Sequence, residues 1–299
     1  MASPHRQLRR AFSDYLAAQR ACTLTALKRG PQDATAVHRA RVAIKKTRAA
    51  IRLLGRVLTV DDLARQQARL RTLARTLARA RDASARTTTL DQLAVRFRDQ
   101  LSAAALARAR RLVTRRQSGG GDERARYASL VPVAETAWTA CMDWASLATP
   151  GRLRRGLEAA LARARRAFRR ARAKPTAARL HRWRKRVKDL LYQCQLLRTL
   201  GGTVPKRCER AGAMLARCLG AVNDLGLLRD DLRMVAGGAT AVSVAPQAGS
   251  FARELRGMAL ELGERFHSKR MTRLMRTHTA LGAGAPARLL AQAGVGSGA

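Results

Sequence analysis

Two segments of the sequence repeat each other, and this duplication limits the possible folds more than any other feature. His38–Leu54 aligns without gaps with His181–Leu197, at an offset of 143 residues. A second match, Leu73–Asp82 with Leu215–Asp224, follows in the same order at an offset of 142. The identical positions of the first match are His38/His181, Arg39/Arg182, Arg41/Arg184, Lys45/Lys188, Leu53/Leu196 and Leu54/Leu197. Two ordered matches indicate a duplicated structural unit.

The duplicated unit is predicted to be helical. Ala, Leu and Arg dominate the sequence, aromatic residues make up only 4% of it, and alternating apolar runs are almost missing. Residues 4–28 and 151–172 precede the two repeated segments equivalently, so each unit supplies about four helices. We expect an all-α fold of two four-helix bundles related by an internal pseudo-two-fold repeat. The predicted units are residues 1–148 and 149–281, followed by a flexible tail, 282–299.

Glycine- and proline-containing segments separate the predicted helices, and the longest of them runs from Gly237 to Gly249. The helices are expected near residues 4–28, 35–56, 61–81, 85–116, 124–146, 151–172, 176–200, 205–223, 225–235 and 250–280.

The charge of the chain predicts a polyanionic partner. Lys and Arg number 60 against 20 acidic residues, which gives a formal net charge of +40. Such a charge repels itself unless a polyanion or many counterions compensate it. A GC-rich genome would explain Arg in place of Lys, but it would not explain the shortage of acid. A functional interpretation of the charge is therefore favoured.

The cysteines and the absence of export signals predict a cytoplasmic protein. The five cysteines are odd in number and widely spread, without a Cys-x-x-Cys pair, so neither a disulfide framework nor a zinc site is indicated. The N-terminus has no apolar core followed by a cleavage site, and no stretch approaches ~18 apolar residues. We expect no membrane association.

The first repeated segment carries a cationic stripe. At 100° per residue, His38, Arg41, Lys45, Arg48 and Arg52 fall within a sector of about 80°, opposite an apolar face. Residues four apart stand about 6 Å apart along the axis, a spacing that suits successive phosphates of an extended chain. Guanidinium forks and lysine charges can hold phosphates without reading bases.

The second segment carries a matching stripe of His181, Arg184 and Lys188, opposite an apolar face that includes Trp183. A single charge run is usually an ordinary solvated face. Recurrence of His, Arg and Lys at identical offsets favours a functional surface instead. Tyr192 could stack a base, whereas Trp183 is expected in the core.

The remaining histidines and the repeated acids allow other interpretations. No carboxylate or thiol stands at ligand spacing from His38 or His181, so no metal site is expected. His5, His267 and His278 show no pattern and are expected at the surface. Asp82 and Asp224, each placed at the end of the third helix of its unit, could be catalytic carboxylates. Orienting a neighbouring Arg or capping the next helix is the favoured role.

The stretch Val37–Leu54 resembles the first signature of the CHAD family, the conserved histidine α-helical domain, and His181–Tyr192 resembles its second. The resemblance extends to the Leu-rich segments that end in Arg81-Asp82 and Asn223-Asp224. Three departures concern the third helices: Ala78 replaces a Gly, Asn223 replaces an Arg, and the acidic residue expected shortly after each Asp is absent.

The resemblance implies two helical bundles around a basic central groove that binds inorganic polyphosphate, association with polyphosphate granules in several members, and no enzymatic activity, no cofactor and no catalytic residue. The polyphosphate-binding residues that it implies are His38, Arg41, Lys45, Lys46, Arg48, His181, Arg184, Lys185 and Lys188, with Arg52, Arg75 and Arg217 as further candidates.

Three functions are compatible with the sequence. Polyphosphate binding accounts for two cationic stripes without a catalytic constellation. The alternative is non-specific binding of nucleic acid, since any phosphate backbone attracts this charge, although no recognised reading motif is present. A phosphate-metabolising enzyme is disfavoured because neither metal-bridging carboxylates nor a phosphate loop is visible.

Overall fold

A computed structural model of the chain describes residues 3–55, 59–77, 79–115, 123–235 and 239–277. Within these ranges the protein is helical and contains no strand, so the predicted all-α class is confirmed. The predicted tail, 282–299, lies outside the described residues.

The helices in the described ranges are α1 (Pro4–Arg29), α2 (Ala34–Leu53), α3 (Val60–Thr76), α4 (Arg79–Arg96), α5 (Ala103–Arg115), α6 (Glu123–Ala128), α7 (Leu130–Asp143), α8 (Pro150–Ala173), α9 (Ala177–Thr199), α10 (Lys206–Val235), α11 (Ala239–Phe266) and α12 (Lys269–Thr277), with a 3-10 helix at Trp144–Leu147 after α7.

Side-chain caps begin the helices on which the repeat lies. Asp33 accepts a hydrogen bond from the backbone N–H of Ala36 at 2.8 Å, and Thr176 caps α9 by accepting from Arg179. Such caps satisfy backbone donors that the first helical turn leaves without partners. At the other end of α9, Gly201 adopts a φ of 81°, a left-handed conformation that favours glycine.

Two hydrophobic cores hold the helices together. The main core takes buried residues from α1, α2, α3, α6, α7, α8, α9 and the first half of α10, together with α12 and the end of α11. A smaller distal core joins α4 and α5 to the second half of α10 and the first half of α11. Both cores therefore draw on residues from either side of position 148. The duplication, and the division into units 1–148 and 149–281, stay predictions.

Several predicted helix boundaries were wrong. The helix expected at 250–280 is divided between α11, which ends at Phe266, and α12, which begins at Lys269. Residues 205–223 and 225–235 form one helix, α10, because Leu225, Leu228 and Leu232 continue its apolar face into the distal core. The segment expected to break the chain is helical from Ala239 onward and contains Pro246 inside α11. Burial of Val244 and Ala248 on the distal core outweighs the cost of an exposed proline there.

Another wrong boundary concerns the predicted helix 85–116. The chain turns after Arg96 and starts a new helix at Ala103. This turn allows both helices to place leucine, alanine and valine side chains in the distal core. One straight helix could not have packed both of its halves there.

By length and composition alone, the segment Lys206–Arg233 within α10 could cross a membrane. Its apolar residues are used otherwise, because Leu215 and Leu219 pack in the main core and Leu228 and Leu232 in the distal core. Core helices of this kind share the composition of membrane spans.

Candidate functional site

The two helices that carry the cationic stripes, α2 and α9, pack directly against each other. Gln193 on α9 is fully buried and donates a hydrogen bond from Nε2 to the carbonyl oxygen of Ala49 on α2 at 3.0 Å. Close by, Arg52 Nη2 lies 2.6 Å from Asp189 Oδ1 in an ion pair between the same helices. The two repeated segments are therefore neighbours in space, although 143 residues separate them in the sequence.

A buried glutamine on α3 fixes the arginines of the first stripe. Gln67 Oε1 accepts hydrogen bonds from Arg48 Nε at 2.9 Å and from Arg52 Nη1 at 2.5 Å. Its Nε2 group donates to the backbone oxygen of Arg48 at 3.0 Å. Because one amide holds both side chains and the backbone between them, the two guanidinium groups are oriented before any ligand arrives.

Cations from four helices meet at this point. We refer to them, with the acid among them, as the junction cluster: Arg48 and Arg52 on α2, Arg71 on α3, Arg163 on α8, and Lys185, Arg186 and Asp189 on α9.

Burial and mutual repulsion lower the pKa values of several cations in the junction cluster. Burial is the largest cause for Arg48, followed by the charge of Arg52, and together they lower its pKa to about 10. The pKa of Lys185 is lowered by burial and then by the charges of Arg48 and Arg71. The pKa of Arg163 is likewise lowered by burial and by Arg186. A pKa of about 10 leaves Arg48 charged at neutral pH, so its repulsion with the other cations persists.

Asp189 compensates only part of this charge. It pairs with Arg52 at 2.6 Å and lies 3.6 Å from Arg186. One carboxylate therefore stands among six cations of the junction cluster. An anion that entered the cluster would meet oriented donors and would relieve the repulsion.

The histidine of the second stripe is held by α10. His181 Nδ1 lies 2.7 Å from Asn223 Oδ1, and Asn223 Nδ2 donates to Asp224 Oδ1 at 3.1 Å. Since the amide nitrogen is turned toward Asp224, the amide oxygen faces the ring, and Nδ1 is the protonated ring nitrogen. Burial, followed by the charge of Lys185, lowers the pKa of His181. The imidazole is therefore mostly neutral near pH 7.

The position of Asp224 differs from the predicted one. It was expected at the end of a helix, where it would orient an arginine or cap the next helix, but it lies inside α10 and orients Asn223 instead. Asp224 thus has a structural role, but the side chain that it orients is Asn223 and not an arginine. The side chain of Asp82, the equivalent acid in the first unit, and Ala78 lie outside the described residues.

The other predicted residues occupy distinct environments. Lys46 lies on the side of α2 that faces α1, where its charge and that of Arg39 act on the Cys22 thiol; burial raises the pKa of that thiol and the two charges lower it. Arg75 and Arg217 are exposed on α3 and α10. Every member of the two stripes is half-buried: His38, Arg41, Lys45, Arg48, Arg52, His181, Arg184 and Lys188.

One predicted surface histidine is instead part of the core. His267 is only 7% exposed, and its Nε2 accepts a hydrogen bond from Trp183 Nε1 at 3.0 Å. Its ring also stacks on Phe168, with ring centroids 5.0 Å apart. Trp183 is fully buried, which confirms its predicted place in the core. The burial of His267 could not be predicted from the sequence, because its partners Phe168 and Trp183 come from α8 and α9.

Within the described residues, no group of three or more His, Cys, Asp or Glu side chains is arranged to hold a metal ion. The chemistry that this site offers is that of oriented guanidinium, ammonium and imidazole donors. Such donors suit phosphate or carboxylate oxygens.

Comparison with known families adds to this geometry. Residues 6–233 match the model of the CHAD domain. The chain belongs to the CHAD family. The matched residues of this chain include both stripe helices, α2 and α9, and the whole junction cluster. Membership is consistent with polyphosphate binding rather than catalysis.

A solved structure resembles the CHAD fold of this chain. PptA from Streptomyces chartreusis superposes with a TM-score of 0.58 over 86% of this chain and 99% of that one, at 18% sequence identity. At this identity the likeness supports the fold alone. No curated protein matches the chain.

Several residues of the candidate site were not predicted from the sequence, namely Gln67, Arg71, Arg163, Arg186 and Asp189. Gln67 and Arg71 precede the predicted Arg75 at intervals of four residues on α3, a spacing that could have indicated them. Asp189 could have been noticed as an acid within a cationic helix. Arg163 carried no such signal, because only the packing of α8 brings it near α9.

Proposed function

We propose that this protein binds inorganic polyphosphate along the cationic stripes of α2 and α9. The observation that carries the proposal is the junction cluster, where burial and the charges of Arg48 on α2 and Arg71 on α3 lower the pKa of Lys185 on α9. A polymer with a negative charge on every unit relieves this repulsion over a long path, which a small anion cannot do.

The donors suit phosphate oxygens better than bases. Arg41 and Lys45 are separated by about 6 Å along α2, and Arg184 and Lys188 repeat that spacing on α9. Guanidinium groups bind phosphate oxygens in pairs, whereas reading nucleic acid requires base-edge contacts or aromatic stacking. Trp183 is buried and therefore not available for stacking. These features disfavour base-specific reading of nucleic acid. Non-specific binding to its phosphate backbone would use the same donors, and competition with duplex DNA distinguishes it from polyphosphate binding.

We further propose that the protein is a binding module and not an enzyme. Phosphoryl transfer depends on carboxylates that hold metal ions between phosphates. Asp189 is paired with Arg52, and Asp224 accepts from Asn223. These two carboxylates are thus used to position other side chains.

The experiment that tests the proposal is a titration with labelled long-chain polyphosphate in about 200 mM salt, where non-specific phosphate binding weakens. Duplex DNA is added as competitor at equal phosphate concentration. We expect tight binding that DNA does not displace. Equal displacement by DNA would show a general polycation and would favour the nucleic-acid alternative.

A charge-reversal variant locates the binding surface. Replacing Arg41, Lys45, Arg184 and Lys188 by Glu should weaken polyphosphate binding by on the order of a hundredfold or more, because several charge-assisted hydrogen bonds are lost together. The control reverses four exposed arginines elsewhere, Arg9, Arg69, Arg108 and Arg154, and thus changes the net charge equally. If both variants lose the same affinity, net charge and not the stripes determines binding.

We also propose that the protein resides in the cytoplasm and gathers at polyphosphate granules. A fluorescent fusion should colocalise with the granules, and the four-site variant of the stripes should spread through the cell. A fusion that ignores the granules under conditions where they are abundant would contradict this location.

A further inference from the structure

The C-terminal helix α12 is a basic amphipathic helix that lies beyond residues 6–233, the part matched by the family model. Met275 is buried, and Met271 and Leu274 pack against the main core. The cations of α12, namely Lys269, Arg270, Arg273 and Arg276, flank this apolar ridge. The helix is therefore anchored by its methionines and leucine while its charges stay near the surface.

A cavity of about 180 Å³ lies between α12 and α8. We call it the C-terminal cleft. Four arginines and a threonine supply its polar lining: Arg165, Arg166, Arg169, Thr272 and Arg276. Its apolar floor includes Leu161. A cavity with four guanidinium groups and one hydroxyl offers donors to several anionic oxygens at once.

The arginines of the C-terminal cleft have no acidic partners within the described part of the chain. By contrast, another arginine of α8 that lies outside the cleft, Arg172, pairs with Glu264 of α11 at 2.5 Å. Acids are thus within reach of α8 but not placed in the cleft. Four converging cations without a carboxylate repel one another, and a bound anion would remove that repulsion.

The C-terminal cleft is continuous with the junction cluster along α8. Arg163 belongs to the junction cluster and interacts with Arg52 and Asp189, while the charge of Arg166, three residues onward, also acts on it. Arg166 and Arg169 then line the cleft. The path from Arg163 to Arg169 covers about 9 Å of helix, a short distance for an extended polymer.

We propose that the C-terminal cleft is a second polyanion subsite, which holds a further segment of the same polyphosphate chain that occupies the junction cluster. This inference rests on the proposed function. The continuity of cations along α8 favours one phosphate polymer over an acidic protein partner. The subsite makes affinity depend on chain length, since only a long chain reaches both places.

The test compares long-chain polyphosphate with tripolyphosphate on three proteins. The first is the wild type, the second carries Arg169→Glu and Arg276→Glu, and the control carries Arg9→Glu and Arg108→Glu on exposed faces of α1 and α5. We expect the cleft variant to bind long-chain polyphosphate about tenfold more weakly than the control, which corresponds to roughly 1.4 kcal/mol. The two should bind tripolyphosphate within about twofold of each other.

The outcomes separate this inference from the proposed function. Equal long-chain affinity of the cleft variant and the control overturns the subsite while leaving the proposed function intact. A wild type that binds no long-chain polyphosphate overturns the proposed function, and the subsite with it. As a further competitor, polyglutamate of matched charge should displace polyphosphate no better from the wild type than from the cleft variant. Displacement that needs the intact cleft would make it a protein-docking site and would overturn the proposal.

Discussion

Asp189 on α9 holds the guanidinium of Arg52 on α2 at 2.6 Å, with the two side chains 22% and 16% exposed. This pair links the two histidine-bearing helices through charge. An ion pair that is mostly buried contributes little net stability by itself, but removal of one partner leaves the other charge buried and uncompensated.

Replacing Asp189 by Asn should therefore lower the free energy of unfolding by about 3 kcal/mol. Polyphosphate should restore more stability to this variant than to the wild type, because phosphate oxygens replace the lost carboxylate. Thermal denaturation with and without polyphosphate measures both effects. As a control, Asp230→Asn removes an exposed pair with Arg229 and should cost less than about 0.5 kcal/mol. If polyphosphate stabilises the Asp189→Asn variant no more than the wild type, the ligand does not bind near Asp189.

The contact between α8 and α2 leaves no room for a side chain at Gly156. A Cβ atom there would stand 1.9 Å from the carbonyl oxygen of Leu53. Gly156→Ala must push the two helices apart and should cost more than about 3 kcal/mol or prevent folding. Gly257, on α11, has open space and should tolerate Ala with a gain of about 0.5–1 kcal/mol. Chemical denaturation of both variants measures this difference, and similar stabilities would contradict the close approach.

His267 should make the protein less stable in mild acid. Burial, with a smaller contribution from the charge of Arg165, lowers its pKa from 6.5 to about 4. The unfolded chain therefore takes up the proton first as the pH falls. The stabilisation is complete above pH 6.5, is lost between pH 6.5 and about 4, and amounts to roughly 3 kcal/mol in total.

The variant His267→Gln isolates this effect. Glutamine can still accept the hydrogen bond from Trp183 but does not titrate. The difference in unfolding free energy between the two proteins, measured from pH 7.5 to 4, should shrink steadily in favour of the variant. A difference independent of pH would show that His267 does not lose its charge on folding.

Polyphosphate binding should strengthen as the pH falls toward 6. In the free protein the pKa of His181 is lowered by burial, Lys185 and Arg184. A bound polyanion favours the imidazolium and raises that pKa, so binding takes up a fraction of a proton. His181→Asn should flatten the dependence of affinity on pH, whereas His5→Asn, at an exposed position of α1, should leave it unchanged. Polyphosphate titrations at several pH values decide between these outcomes.

Helical periodicity was enough to predict the two stripes, because His38, Arg41 and Lys45 share a side of one helix whatever surrounds it. It could not predict Gln67 as the residue that orients Arg48 and Arg52, since that relation depends on how α3 packs against α2. The same limit explains why the sequence predicts two helices, 205–223 and 225–235, where the structure has the single helix α10. Asp224 looked like a terminus, and only the distal core shows why the helix continues.

The helix α10 contributes to both cores, with Leu215 and Leu219 in the main core and Leu225 and Leu228 in the distal core. Because most helical stability in proteins comes from tertiary packing, a half of α10 that loses its core also frays toward the other half. Unfolding of either core is therefore expected to spread into the other, and the backbone amides between Leu219 and Leu225 should exchange with deuterium among the slowest in the protein. Through this shared helix we expect the two cores to unfold as one cooperative unit.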